Sequence, residues 1–333
     1  MNELMLQSGQ RLMTGFSGTT PPKELVQTVK KYKIGNYILF AENIASARQL
    51  RQLCAALRDM AISETGMEPL ISTDQEGGRV QRLPKDIINT PSAREIAAAN
   101  STENAYSIAR HIAETLRELG LNYDLAPVMD IDGNNGSTVI GDRSFGTDAE
   151  TVSRFGTAMI RGMRDGGVLT CAKHFPGHGG TGVDTHLSLP IIDTGMDELA
   201  ATALVPFKRA IEAGVGSIMT THIVFSRLDK SYPATLSRAV IDELLRKGLS
   251  YSGMIITDCL QMGAIASHYG VSEAALLSMK AGVDMFTISH DCAAAGRAAL
   301  LISRALERGE ASMAEHETAL NRIAEAKRWL NTL

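Results

Sequence analysis

The sequence predicts an α/β fold, a single TIM-like (β/α)8 barrel, on three observations. Short apolar runs alternate with amphipathic helical segments from end to end, the pattern of parallel strands joined by helices. Several of those runs exit into titratable residues rather than plain turn residues, as strands do at the working face of such a barrel. No low-complexity linker interrupts the 333 residues, so residues 1–333 form one domain, with closing helices from about 293. A doubly wound open sheet is the alternative; it is weakened because no G-x-G-x-x-G turn follows the first strand.

Arg11 to Phe16 reads as the first strand, and Pro21-Pro22 precedes an amphipathic helix over Lys23 to Tyr32, as prolines do at helix starts. Tyr37 to Phe40 is a second strand, followed by a helix from about Ser46 to Met60. Leu70 to Thr73 is a third, running into Asp74-Gln75-Glu76-Gly77-Gly78-Arg79. A helix over Ser101 to Leu119 has Gly120 to end it. Leu121 to Val128 is a fourth strand, opening into the acidic, glycine-rich segment Asp130 to Asp142. Ala149 to Arg164 is a helix closed by Gly166-Gly167, and Val168 to Ala172 is the fifth strand. A helix over Met196 to Ala213 leads to the strand Gly216 to Thr220, which delivers His222. A helix over Arg238 to Lys247 leads to the strand Met254 to Thr257, which delivers Asp258. A helix over Ser272 to Ala281 leads to the last strand, Val283 to Thr287. Helices over Ala293 to Arg308 and Ser312 to Trp329 close the chain, the second opening on a Ser312-x-x-Glu315 capping box.

Composition narrows the function. The chain is 44% hydrophobic and 21% charged with net charge −4, and carries no basic run for nucleic acid or an anionic membrane. No apolar stretch approaches the ~20 residues that span a bilayer. Met1 to Met5 lacks the basic and apolar regions of a signal peptide. Cys54, Cys171, Cys259 and Cys292 are far apart and match no zinc or redox spacing, so free thiols in the cytoplasm are expected.

The stretch Lys173 to His186 concentrates the chemistry: a lysine, three histidines, an aspartate and a run of glycines directly after the fifth strand. So many glycines keep regular structure from continuing. Asp184 and His186 are too close for one helical face, yet a curled loop pairs them, the carboxylate orienting the imidazole. The same histidines could instead ligate a metal; their spacing matches no zinc pattern and Lys173 adds opposing charge, so no metal is expected. Asp258, fixed at a rigid strand end, is placed either as a nucleophile or as the N-cap of a helix after Leu260. Asp74, Arg82, Asp130, Asp142, Arg143, Lys173, His174 and His222 complete the set of strand-exit polar groups; a rim network of ion pairs is the bland alternative.

With these residues in view, the sequence resembles the glycoside hydrolase family 3 β-N-acetylhexosaminidases over nearly its whole length. The resemblance rests on Asp74 to Arg82, Gly141 to Gly146, Lys173 to Gly179, Asp184-Thr185-His186, Met219 to His222 and Thr257 to Ala264. It implies a retaining two-step reaction with Asp258 as nucleophile, His186 as acid/base and Asp184 as the partner of that histidine. It implies that Asp74, Arg82, Arg143, Lys173 and His174 hold a terminal N-acetylglucosamine, with no cofactor. The implied substrate is a cell-wall muropeptide fragment, with a teichoic-type glycan or a chitin oligomer as the alternatives, and nothing in the sequence demands more than a monomer. The Asp-x-His element separates this branch from the β-glucosidases and replaces the second carboxylate of the usual glycosidase pair. Phosphorolysis in place of hydrolysis, and sugar binding without turnover, are the competing readings. The glycines of Gly177 to Gly182 suggest a loop that brings His186 in after substrate binds. Cys259, beside Asp258, is expected to be a packing residue. The only tryptophan, Trp329, lies in the closing helix, so no aromatic platform is expected at the site.

Overall fold

The computed structural model describes residues 3–133, 139–178 and 189–332. Its ten strands are β1 (Leu12–Thr14), β2 (Asn36–Ile38), β3 (Leu70–Thr73), β4 (Tyr123–Asp124), β5 (Cys171–Phe175), β6 (Ile191–Ile192), β7 (Ser217–Thr220), β8 (Val224–Phe225), β9 (Met254–Thr257) and β10 (Phe286–Ile288). They form a five-stranded sheet in the order β10-β1-β2-β3-β4, a three-stranded sheet β5-β7-β9 and the small pair β6-β8. Every strand pairing in the ladders is parallel. The fold is therefore α/β with parallel sheets, as expected, but the ladder is not one continuous closed barrel. Between the two larger sheets only isolated parallel bridges form: Tyr123 with Leu169, Val128 with Lys173, and Ile256 with Met285.

The break beside β4 has a local cause. Proline has no N–H to give a ladder, and Pro127 is the last but one residue of the expected strand Leu121 to Val128. Only Tyr123 and Asp124 remain in regular pairing, and the Ala126–Pro127 peptide is cis.

Most expected helices form, with a polar residue satisfying the free N–H groups at the start. Ser46 accepts from Gln49 N, Ser101 from Asn104 N, Asp148 from Thr151 N, Asp291 from Ala294 N and Ser312 from Glu315 N. The helix expected over Met196 to Ala213 is broken into Met196–Ala201 and Leu204–Glu212. Pro206 explains this: it cannot donate to the carbonyl one turn back, so it fits only the first turn of a new helix. The segment Ala239–Gly248 winds as a π-helix, with Leu249 N bonded to Leu244 O, rather than as the expected α-helix. Two helices were not anticipated, Glu3–Gln10 and Ala93–Ala98. The second carries a full Ser92/Glu95 capping box.

Both faces of the central strands are buried, as parallel sheets require. One apolar cluster gathers Met13, Ile38, Leu70, Tyr123, Cys171, Met219, Ile256 and Met285, drawn from strands of both larger sheets. Two further clusters fill the space between the strands and the helices. The side chain of Trp329 packs at the edge of the first of these, away from the strand exits. Among the described residues no helix is long and apolar enough to cross a membrane.

Lys327, on the closing helix Met313–Leu330, is buried with its Nζ 3.0 Å from Gln10 Oε1. Burial pulls its pKa down to about 7, because the charged form has lost its water. The unfolded chain holds that proton up to ~10.4, so between the two values unfolding takes up a proton and stability rises with pH. Lys327→Met is therefore expected to gain most, relative to wild type, near pH 6. Its melting-temperature difference from wild type should shift against the variant as pH is raised towards 10; a difference constant across this range would refute the assignment.

Candidate active site

The strand exits of both larger sheets open on one cavity of about 550 Å³. Asp74, Arg82, Arg143, Lys173, His174 and Asp258 all line it. Six of the eight residues expected in the site thus come together; Asp184 and His186 lie outside the described residues.

Lys173 occupies the floor. It is buried, and its Nζ lies 2.8 Å from Asp74 Oδ1 and 2.7 Å from Glu76 Oε1. Asp74 Oδ2 accepts from Arg82 at 3.2 Å. Glu76 accepts two bonds from Arg143, both 2.8 Å, the paired geometry that a guanidinium makes with a carboxylate. The result is an alternating chain Arg82–Asp74–Lys173–Glu76–Arg143. Burial alone would raise the carboxyl pKa of Asp74 and Glu76, but the adjoining cations outweigh it and hold both below the ordinary range. Burial would likewise lower Lys173, and its two carboxylates hold it above the usual lysine value instead.

The sequence reading ended the fifth strand at Ala172 and put Lys173 and His174 in a loop. They lie inside β5, where the register with β7 shifts between Lys173 and Phe175. A regular strand would point these neighbours to opposite faces; the irregularity lets both reach the cavity. His174 Nδ1 lies 2.7 Å from Asp130 Oδ2, which also accepts from the His174 N–H, while Asp130 Oδ1 accepts from the N–H of His178. Asp130 is fully committed to holding this segment, and the histidines keep its carboxyl low against the effect of burial. Burial, with His174 nearby, brings the His178 pKa down to about 4.

Asp258 follows β9 directly. Its Oδ1 accepts from the N–H of Cys259 at 2.7 Å. The helix that follows, Gly263–Tyr269, begins at Met262, so Asp258 does not cap it. Burial would raise this carboxyl; His174, His222 and the Cys259 N–H outweigh it and hold the group below the ordinary value. Cys259 is half-buried and lines the cavity rather than only packing.

Glu76 is the member the sequence reading missed as a site residue, although it stands two residues from Asp74 in the same motif. The turn after β3 brings both carboxylates onto Lys173, which strand alternation does not foretell. Asp142, by contrast, turns outwards to an exposed pair with Arg79. An aromatic element also lines the cavity, contrary to expectation: Phe40 and His290 stack with ring centres 4.8 Å apart, and the guanidinium of Arg82 lies 5.5 Å from the Phe40 ring centre. No tryptophan was needed, because Phe40 and His290 reach the cavity from the ends of β2 and β10. Among the described residues no three His, Cys, Asp or Glu side chains are grouped to hold a metal.

A family model described as the glycosyl hydrolase family 3 N terminal domain matches residues 4–326. The chain belongs to glycosyl hydrolase family 3. It is 35% identical to a β-hexosaminidase of Pseudomonas aeruginosa over 300 residues, 88% of this chain and 86% of that protein. It is 36% identical to β-hexosaminidase A of Pseudoalteromonas piscicida over 284 residues, 80% of this chain but 48% of that protein. The structure of a family 3 β-N-acetylglucosaminidase from Paenibacillus sp. str. FPU-7 superposes with a TM-score of 0.97 at 38% identity, covering 99% of this chain and 63% of that one. The chain thus spans about half to two thirds of some family members and most of others.

Removing Glu76 leaves Lys173 and Arg143 buried without it. Glu76→Ala is expected to lower the unfolding free energy by about 3 kcal/mol or more, the usual cost of stranding a buried charge. Asp142→Ala breaks only the exposed pair with Arg79 and should cost less than about 1 kcal/mol. Urea titration of the two variants checks the contrast; equal losses would mean the floor network is no more than a surface pairing.

Proposed function

We propose that this family 3 chain is a retaining exo-β-N-acetylglucosaminidase that removes a terminal N-acetylglucosamine from cell-wall muropeptide fragments. The observation that carries the reading is Asp258. It is a carboxylate fixed at a strand end, kept ionised by neighbouring cations, and facing a cavity whose floor is a charged network. The names of the family 3 relatives, β-hexosaminidases and a β-N-acetylglucosaminidase, favour the same substrate class.

In this reading Asp74, Arg82, Arg143, Lys173 and His174 take the hydroxyl and acetamido groups of the sugar and fix its anomeric carbon for in-line attack. Asp258 Oδ1 is held by the Cys259 N–H, and Oδ2 attacks the anomeric carbon. His186, oriented by Asp184, gives its proton to the glycosidic oxygen, so the leaving alcohol departs neutral as the glycosyl ester forms. Neutral His186 then takes a proton from water. The hydroxide attacks the anomeric carbon, the ester bond to Asp258 breaks, and the sugar leaves with its original configuration. The steps need no cofactor.

The closed eight-stranded barrel belongs to the same proposal. It is supported by the isolated bridges at both junctions of the two larger sheets and by the apolar cluster that draws on strands of both. A monomer in a reducing compartment such as the cytoplasm is also part of it, and the four free cysteines favour that compartment.

Release of 4-nitrophenol from 4-nitrophenyl N-acetyl-β-glucosaminide tests the reading. Asp258→Asn is expected to lower kcat by at least ~10⁴-fold, and His186→Ala by about 10²–10⁴-fold. Wild-type turnover indifferent to added phosphate would support hydrolysis. Turnover that climbs with phosphate and yields sugar 1-phosphate would replace it with phosphorolysis. Binding of the sugar with no turnover on natural or chromogenic substrates would reduce the chain to a sugar-binding protein.

A further inference from the structure

His222 stands outside the ion-pair network and takes no step in the reaction described above, yet it is bonded to the segment that carries Asp258. It is buried at the exit of β7. Its Nε2 lies 3.0 Å from the carbonyl oxygen of Cys259, and its Nδ1 lies 2.8 Å from Thr235 Oγ1. The N–H of that same Cys259 donates to Asp258 Oδ1 at 2.7 Å. A single residue, Cys259, therefore links the imidazole to the carboxylate.

Donor and acceptor accounting fixes the protons. A carbonyl only accepts, so Nε2 must carry a hydrogen. Thr235 Oγ1 also lies 2.9 Å from the carbonyl oxygen of Thr221 and 2.9 Å from Thr220 Oγ1. It has one hydrogen, and the Thr221 carbonyl cannot supply one. All the contacts are made at once when Thr235 donates to Thr221 O and receives from both Thr220 Oγ1 and His222 Nδ1. Nδ1 then carries a hydrogen as well.

We propose that His222 is a doubly protonated positioning residue that pins the Cys259 backbone, and with it the Asp258 carboxylate, through Thr235 and Thr221. The inference rests on Asp258 being the nucleophile. The groups around the imidazole are consistent with a positive charge there. Among the described residues, Thr220, Thr221 and Thr235 are neutral, Asp258 is a nearby anion, and Cys259 has a thiol that burial keeps protonated. The other groups that favour the Asp258 anion, His174 and Lys173, come from β5 on the far side of β7 and already have carboxylate partners of their own.

The test combines kinetics with NMR on the full chain. In wild type, the ring nitrogens of His222, assigned by comparison with His222→Gln, should both show the protonated chemical shift from pH 5.5 to 7.5. His222→Ala should lower kcat by about 10²-fold, the scale for losing one preorganised donor, and leave KM within about 3-fold. It should slow labelling of Asp258 by a mechanism-based fluorosugar by the same factor. His222→Gln, whose amide reaches the Cys259 carbonyl, should recover most of the loss. Thr235→Val should drop one ring nitrogen to the neutral shift. A neutral tautomer in wild type, an unchanged labelling rate in His222→Ala, or a Gln variant as slow as the Ala variant would each overturn the proposal. Should His222→Ala not fold, the wild-type spectrum and the Gln and Thr235→Val variants still decide it. Label found on a residue other than Asp258 would fail the nucleophile reading itself, which these outcomes keep separate.

Discussion

An ammonium group stripped of water must be neutralised where it stands, and Lys173 is that group here. Its Nζ sits between Asp74 and Glu76, and those carboxylates in turn fix Arg82 and Arg143. The cost of burying a lysine is several kcal/mol unless charges and hydrogen bonds meet it on all sides. Lys173 comes from β5, the two carboxylates from the turn after β3, and Arg143 from the segment after β4. One buried charge therefore ties the exits of three neighbouring strands to one another. With three cations and two anions, the floor keeps a net positive charge. That suits the proposed site, in which the Asp258 carboxylate and the electron-rich oxygens of a sugar would lie side by side.

Parallel pairing is what makes such a floor possible. When every strand runs the same way, their carboxyl ends share one side, and residues far apart in sequence meet without a dedicated loop. Lys173 and Asp74 are 99 positions apart and Asp130 and His174 are 44 apart, yet both pairs bond directly. The register shift in β5 adds to this. It spends one ladder position so that consecutive residues both serve the cavity, Lys173 through the floor and His174 through Asp130.

The alternation of apolar runs and amphipathic segments made the α/β class and eight of the ten described strands legible, because burial on both faces leaves a continuous apolar run; the two-residue strands β6 and β8 were too short to leave one. Boundaries failed where a proline intervened, at Pro127 and Pro206, and where polar residues entered a strand. Lys173 and His174 looked like loop residues only because the carboxylates that neutralise them, Asp74, Glu76 and Asp130, are remote in sequence. The strand-end positions of Asp74 and Asp258 carried the site, since a strand exit is readable from sequence. Glu76, Phe40 and His290 were not readable in the same way. Their part depends on which direction a turn folds and which rings meet across the cavity, and neither leaves a periodic trace.

Two carboxylates at strand ends show why environment, rather than position, sets Asp258 apart as the proposed nucleophile. Asp124 ends β4 and Asp258 follows β9, and each accepts a backbone N–H, from Gln75 and Cys259 respectively. Asp124 is wholly buried, its second oxygen has no hydrogen-bond partner, and Asp74 and Glu76 lie close enough to add their repulsion. Burial dominates there and pushes its pKa well above the usual range, which works against a third anion beneath Lys173. Asp258 meets the opposite balance. It is half-buried at the cavity wall, and the histidines and the Cys259 N–H outweigh the loss of water. Of the two, only Asp258 is held low and faces the cavity. Such a separation by environment is the kind on which acid–base and nucleophilic roles depend.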